Sequence, residues 1–272
     1  MQFMSSTTSF QFASAPSGAA IPNIFVISHR RSGTHLVIDT IRNNFPAVSD
    51  AFLTLECLYP QVKPHIPGPE FEKQLGRGGM IVKTHMDAQL ETEPFAPLDE
   101  MKQLAARAAP RTKAIYIYRD GRDVLTSFYH YRAKIGPVPP SIHEFLQQKV
   151  SDWFPGNRIE YWVHHVSGWL GRSDVLYVSF EELIRSPESV VAKLAAWIGL
   201  PAPQKVANVD LNQAQANKGV RRSSVLPRKG KIGDFKQLFD EKTTADFNGM
   251  AGELMRELGY DGVGGRDDTA NS

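Results

Sequence analysis

The chain reads as an α/β protein, with a central parallel sheet flanked by helices on both faces. Three observations predict this. Four short runs, Ile24–Ser28, Gly79–His85, Lys113–Arg119 and Asp174–Phe180, are apolar almost without interruption, as strands buried on both faces are. Segments of helical spacing lie between and after them. Polar residues collect where the runs end, in SHRRSGT, KTH and RDGRD, and ligands of open parallel sheets bind beyond the carboxyl ends of the strands.

The elements follow in chain order. Phe25, Val26 and Ile27 form the core of the first strand. After a polar turn, Leu36, Val37 and Ile41 resume with helical spacing, which predicts a helix over Thr34–Asn44. Further helices are expected over Leu98–Ala108, Asp123–Ala133, Ile142–Val150, Gly156–Leu170 and Pro187–Ile198. Alternation of strands and helices argues for parallel pairing covered on both sides. The small, polar residues 1–20 read as a flexible lead-in, residues 21–261 as one domain, and the glycine-rich residues 262–272 as a flexible tail.

Composition narrows the functional classes. A length of 272 residues leaves ample core. A net charge of +2 does not suggest nucleic-acid binding, so any basic site must be local. A single cysteine, Cys57, excludes a disulfide framework and a cysteine-rich metal site, and fits a reducing compartment. The histidines lack a spaced set such as H-E-x-x-H, so no metal is expected. No basic start with an apolar run marks a signal, and no stretch is long enough to span a bilayer. A cytoplasmic protein without nucleic-acid or membrane partners is the expectation.

Three constellations point to anions. Arg30, Arg31, Ser32, Gly33 and Thr34 occupy the first strand-to-helix turn, where unpaired helical N–H groups and the helix dipole favour negative charge. The Walker signature G-x-x-x-x-G-K-[ST] is absent there. Arg119 and Ser127 follow the third strand; an arginine fork and a hydroxyl suit a phosphate monoester, although Asp120 or Asp123 could simply cap a helix with the arginines in surface ion pairs. Arg228, Lys229 and Lys231 surround Gly230 and Gly233, whose freed backbone suits a phosphate-binding flap, against the plainer alternative of a solvated basic face. His85, beside Lys83 at a strand end, is on these grounds alone more often structural than catalytic.

Taken together the segments resemble the cytosolic-type sulfotransferases, which use 3′-phosphoadenosine-5′-phosphosulfate (PAPS) as sulfuryl donor. The family loop P-K-S-G-T-T-W resembles Arg30-Arg31-Ser32-Gly33-Thr34-His35-Leu36, and K-x-H resembles Lys83-Thr84-His85. Y-x-x-R-N-x-x-D-x-x-x-S-x-Y-H is similar to Tyr116 through His130, W-F-D-H-V-x-G-W to Trp162 through Trp169, and R-K-G-x-x-G-D-W-K to Arg228 through Lys236. The matches run in order from about Asn23 to Tyr260. Departures are Leu36 for the adenine-stacking tryptophan, Phe180 for a tyrosine, and Arg31 for lysine. The family's dimer motif is not recoverable from KQLFDEKTTA, so a monomer or a non-standard homodimer is expected.

The resemblance implies a P-loop-like sulfotransferase architecture and a role for each residue. Arg30, Ser32, Gly33, Thr34 and His35 would form the loop around the donor's 5′-phosphate. Arg31 would face the bridging oxygen. Arg119, Ser127, Arg228, Lys229 and Gly230 would hold the 3′-phosphate, with Phe180 near the cofactor. His85 would be the general base, its activity falling near the ordinary imidazole pKa of ~6.5, with Lys83 neutralising sulfuryl oxygens. The acceptor would be a hydroxyl or amine of a small molecule, and the product nucleotide adenosine 3′,5′-bisphosphate (PAP). The rival class is a P-loop nucleotide or small-molecule kinase, which needs Mg²⁺. A nucleotide-binding module without chemistry is a third reading, opposed by the Lys83/His85 pair.

Overall fold

The computed structural model describes residues 21–49, 52–55, 68–88, 112–151, 154–209 and 230–260. Five strands, β1 (Asn23–Ile27), β2 (Phe52–Thr54), β3 (Ile81–Thr84), β4 (Thr112–Tyr118) and β5 (Val175–Ser179), form one sheet in the order β2-β3-β1-β4-β5. Every neighbouring pair is parallel. The helices are α1 (Thr34–Asn44), α2 (Gly68–Arg77), α3 (Gly121–Ile135), α4 (Ile142–Gln147), α5 (Arg158–Trp169), α6 (Phe180–Arg185), α7 (Pro187–Ile198) and α8 (Glu241–Glu257), with a 3-10 helix over Asp234–Gln237.

The continuous apolar character of the strands has a simple cause. Side chains alternate across a sheet, and here both faces are covered. Phe25, Ile27, Val82, Ala114 and Tyr116 face one core, packed by α3, α5 and α8 through Val124, Trp162, Trp169, Phe247 and Leu254. Ile24, Val26, Ile81, Ile115 and Ile117 face the other, packed by α1 and α7 through Val37, Ile41, Val190 and Leu194. Each such side chain contributes about 1.5–3 kcal/mol by leaving water.

Several helix ends are written in the sequence. Asn157 caps α5, accepting from the Ile159 and Glu160 N–H groups while Glu160 accepts from the Asn157 N–H, a full capping box. Pro187 opens α7 and Gly199, at φ 81°, closes it. Asp120 caps α3 by accepting from the Arg122 N–H.

The structure differs from the sequence reading in places. β2, α2, α6 and α8 were not anticipated, and Phe180 is the first residue of α6 rather than the end of a strand. The expected helix over Leu98–Ala108, the lead-in and the tail lie outside the described residues. No helix among the described residues is long and apolar enough to cross a membrane.

The topology places the site. From β1 the chain leaves toward β2 and β3, and from β4 it leaves toward β5 on the other side. The carboxyl ends of β1 and β4 therefore flank the crevice where such sheets bind ligands. Gly121 closes the α3 end of that crevice against α5, and a Cβ there would lie 2.7 Å from the Trp162 ring. Gly121→Ala should therefore destabilise the fold by about 1–3 kcal/mol through overpacking, read as a lowered urea midpoint at unchanged slope.

Candidate active site

The turn after β1 is built around two left-handed residues. Arg31 has φ 73° and Gly33 φ 103°. At Gly33 a Cβ would come within 2.5 Å of the Phe180 ring, so both conformation and space require glycine. No side chain caps the N-terminus of α1. The N-cap residue is Gly33, and no acidic side chain stands in the first turn, as an anion site needs. Of the loop N–H groups expected to serve the anion, that of Ser32 turns back to the His29 carbonyl at 3.3 Å. Gly33 and Thr34 carry the backbone part of the cradle.

Behind the loop runs a set of directed hydrogen bonds. The Thr34 and Ser28 hydroxyls lie 2.6 Å apart. The His85 Nδ1 donates to the Ser28 carbonyl at 2.9 Å and lies 3.2 Å from the Ser28 hydroxyl. A carbonyl only accepts, so Nδ1 carries the hydrogen and Nε2 is the basic nitrogen. The Tyr116 hydroxyl bonds the backbone of His29 and lies 3.0 Å from the His165 Nδ1. The His165 Nε2 reaches the His85 carbonyl at 3.1 Å. β4 and α5 thereby hold the phosphate loop and the β3 end in one frame.

Burial keeps these imidazoles neutral. Desolvation lowers His29 to about 4, the Arg30 charge adding to it against the hydrogen bond to the Arg30 carbonyl. His85 lies well below its ordinary 6.5, chiefly by desolvation and then by the Lys83 and Arg30 charges. Its ring is nonetheless only half-buried by surface area, so the two cations matter beside desolvation. His165 is lowered in the same way, by desolvation and then His29. Lys83 stands on β3 in register with Val26 and Thr54. Arg30 is exposed, and the His35 ring packs edge-on to Phe52 of β2 at 5.6 Å.

A second cationic cluster sits beside the first. Arg31 crosses to α3, donating from Nε to the Ser127 hydroxyl at 3.2 Å with its guanidinium 5.0 Å over the Tyr131 ring. Desolvation lowers its pKa, as does the charge of Arg119 nearby, while Tyr131 opposes them. The structure thus brings Arg31, Arg119 and Ser127 together, although it turns Arg31 toward Ser127. Arg119 is buried, its guanidinium 4.4 Å over the Phe180 ring. Its Nη2 donates to the Lys231 carbonyl at 2.6 Å and pairs with Asp123 at 3.3 Å. Its Nε is buried with no hydrogen-bond partner. An orphaned guanidinium N–H costs about 1–3 kcal/mol, which an anion there would recover.

The flap is docked by the same helix. Asp123 accepts from the Gly233 N–H at 2.8 Å and the Phe235 N–H at 3.0 Å. Burial pushes its carboxyl up, opposed by Arg119 and these two donors. Arg122 pairs with Asp120 at 2.7 Å and lies 4.2 Å over the Phe235 ring. Asp120 therefore caps α3 and Asp123 caps the 3-10 turn, and the ion pairs are buried rather than on the surface. Gly230, at φ 59°, begins the docked segment; Arg228 and Lys229 lie outside the described residues. Phe180, expected near the cofactor, is buried as the wall between Gly33 and Arg119. Among the described residues no group of three or more histidine, cysteine or acidic side chains could hold a metal.

Fold and site together describe an α/β protein in which a glycine turn and a cluster of two arginines lie side by side, with a histidine beside the turn. Comparison with known proteins agrees. Residues 22–259 match the family model of the sulfotransferase domain. The chain is 26% identical over 198 residues to Sulfotransferase 1A1 of Mus musculus, covering 64% of this chain and 62% of that protein. It is 27% identical over 278 residues to Sulfotransferase 1 family member D1 of Rattus norvegicus, covering 91% and 88%. The structure of mouse sulfotransferase SULT7A1 complexed with PAP superposes with a TM-score of 0.58 at 20% identity, over 88% of this chain and 86% of that one. Retinol dehydratase in a complex with retinol and PAP gives 0.59 at 21%, over 88% and 83%. The chain belongs to the sulfotransferase family, a family of transferases.

The buried neutral histidines set the acid response. A histidine whose folded pKa lies below its unfolded value takes up its proton in the unfolded chain first, so stability falls as pH drops. For His29 the window runs from ~6.5 down to about 4, with a loss of roughly 3 kcal/mol. His85 and His165 act in the same direction. Urea unfolding followed from neutral pH to about pH 4 should show this decline, and His29→Phe should flatten it.

Proposed function

We propose that this chain transfers the sulfuryl group of PAPS to a hydroxyl or amine of a small-molecule acceptor, releasing PAP. The observation that carries this is the second anion site, where the orphaned Nε of Arg119 lies in a cluster with Arg31 and Ser127 under a docked flap. A donor with both a 5′- and a 3′-phosphate fits two adjacent sites, whereas ATP has no 3′-phosphate. Neighbouring folds solved with PAP support the same reading.

The residues divide the work. Gly33 and Thr34, on the uncapped end of α1, hold the 5′-phosphate, with Arg30, Ser32 and His35 completing the loop. Arg119, Ser127 and Gly230 hold the 3′-phosphate, joined by Arg228 and Lys229 of the flap sequence. Arg31 reaches Ser127 through Nε, and the remainder of its planar fork serves the bridging oxygen as charge builds there. The donor supplies a sulfuryl group bound through a phosphoanhydride-type oxygen. His85 accepts the acceptor's proton at Nε2 while Lys83 neutralises the sulfuryl oxygens. Leu36 is buried in the core beneath α1, so it offers no ring to adenine. The acceptor remains a small molecule by class; a family neighbour was solved with retinol.

With chelator present PAP should stabilise the fold by about 2.7 kcal/mol at 100 times its dissociation constant, and ADP at the same concentration by less. Equal thermal shifts with ADP, or a Mg²⁺ requirement, would instead favour a kinase. His85→Ala should keep PAP affinity and lose roughly 10²–10⁴-fold in turnover, or about 3–5 kcal/mol of barrier. For the wild type at limiting donor, kcat/KM should stay level through pH 6.5 and fall only at lower pH, because His85 is held below 6.5. This differs from the break near 6.5 expected of an unperturbed imidazole. A variant with normal turnover and intact PAP binding would remove His85 from the chemistry.

A further inference from the structure

We infer that Ser28 is a positioning residue whose hydroxyl couples occupancy of the phosphate loop to the basicity of His85. This rests on the reading of His85 as general base and adds to it a residue outside the sequence-derived site. Ser28 is the first residue after β1 and is completely buried. Its hydroxyl lies 2.6 Å from the Thr34 hydroxyl and 3.2 Å from the His85 Nδ1. Water cannot replace either partner.

One set of directions gives every hydrogen in this row an acceptor. The Ser28 carbonyl, 2.9 Å from Nδ1, can only accept, so Nδ1 carries a hydrogen. The Ser28 hydroxyl oxygen, 3.2 Å from the same nitrogen, accepts a share of that hydrogen in this set. Its own hydrogen then goes to Thr34. Thr34 accepts there and turns its hydrogen away, toward the uncapped end of α1. A phosphate in the loop takes that hydrogen.

The chain thus runs from Nδ1–H of His85 to Ser28, from Ser28 to Thr34, and from Thr34 to the anion. Hydrogen bonds in such a chain polarise one another, most strongly in a low-dielectric interior. An anion at one end makes each oxygen along the line a better acceptor. At the other end, Nδ1–H is held more firmly and Nε2 becomes more basic. The base is therefore weakest in the empty enzyme and strengthened when donor is in place. Through-space attraction from the phosphates acts in the same sense, and the hydroxyl supplies the part that travels through bonds.

The test separates these parts. Nitrogen NMR of imidazole-labelled protein gives the His85 titration midpoint without and with PAP, in wild type, Ser28→Ala and Ser28→Thr. PAP is expected to raise the wild-type midpoint, and Ser28→Ala to lose about half of that rise. Ser28→Thr restores a hydroxyl and should restore the rise, whatever its added methyl does to stability. In turnover, Ser28→Ala should keep PAP affinity within about twofold and lower kcat about tenfold, the worth of one hydrogen bond to a group that becomes charged. An unchanged or lowered wild-type midpoint on adding PAP, or an equal rise in Ser28→Ala, overturns the inference. His85→Ala with full turnover would instead overturn the base assignment, and the midpoints would still decide whether the coupling exists.

Discussion

The site depends on the register of β1 with its two neighbours. Ile27 stands opposite Thr84 on one side and Tyr116 on the other. That alignment brings Ser28, His85 and the Tyr116 hydroxyl to one level beyond the sheet. A slip by one residue would send every side chain of β1 to the opposite face. Such a slip is resisted by both cores at once, because Phe25 and Ile27 belong to one and Ile24 and Val26 to the other. Apolar packing thus fixes the polar distances, although no apolar atom takes part in the chemistry.

Burial of charge is the second theme. Arg119, Asp120, Arg122, Asp123 and Glu181 are all buried around the start of α3. Charges out of water are costly unless paired and hydrogen-bonded, and a network that leaves one member unsatisfied is worse than an apolar core. Here nearly every group is matched. Glu181 accepts from the Asp120 N–H, the Ser179 hydroxyl and the Tyr260 hydroxyl. Arg122 is held by Asp120 and Asp123 by the flap backbone. The exception is the Nε of Arg119, and it falls at the site assigned to an anion.

What was legible in the sequence follows from how local each signal is. Four strands, the helices that follow β1 and β4, and α7 were readable because double-sided burial writes itself as runs and periods. β2 was not, since three half-buried residues give no period to read. α8 could have been found: Phe247, Ala251, Leu254 and Met255 recur at helical spacing, and Asp240 caps the start. At the site, the anion-binding residues were legible because arginine, glycine and hydroxyl types cluster in short motifs. Ser28, Tyr116 and His165 were not assigned roles there. The bonds of Ser28 to His85, Tyr116 to His165 and His165 to the His85 carbonyl span 57, 49 and 80 positions, and only the folded register brings these partners together. The turn of Arg31 toward Ser127 was equally hidden, being a choice of rotamer rather than of residue.

The Phe180 ring packs against the loop glycine through Cδ2 and Cε2 and carries the Arg119 guanidinium over its face. It acts as a spacer, so the gap between the glycine turn and Arg119 is a property of one side chain. Neither site can be retuned alone. A larger or smaller residue at this position shifts the glycine turn and the arginine as a pair, and changes the length of ligand that bridges them. Under the proposed function the ring would act as a gauge for the donor, and this position is the first to vary when a nucleotide of different span is wanted.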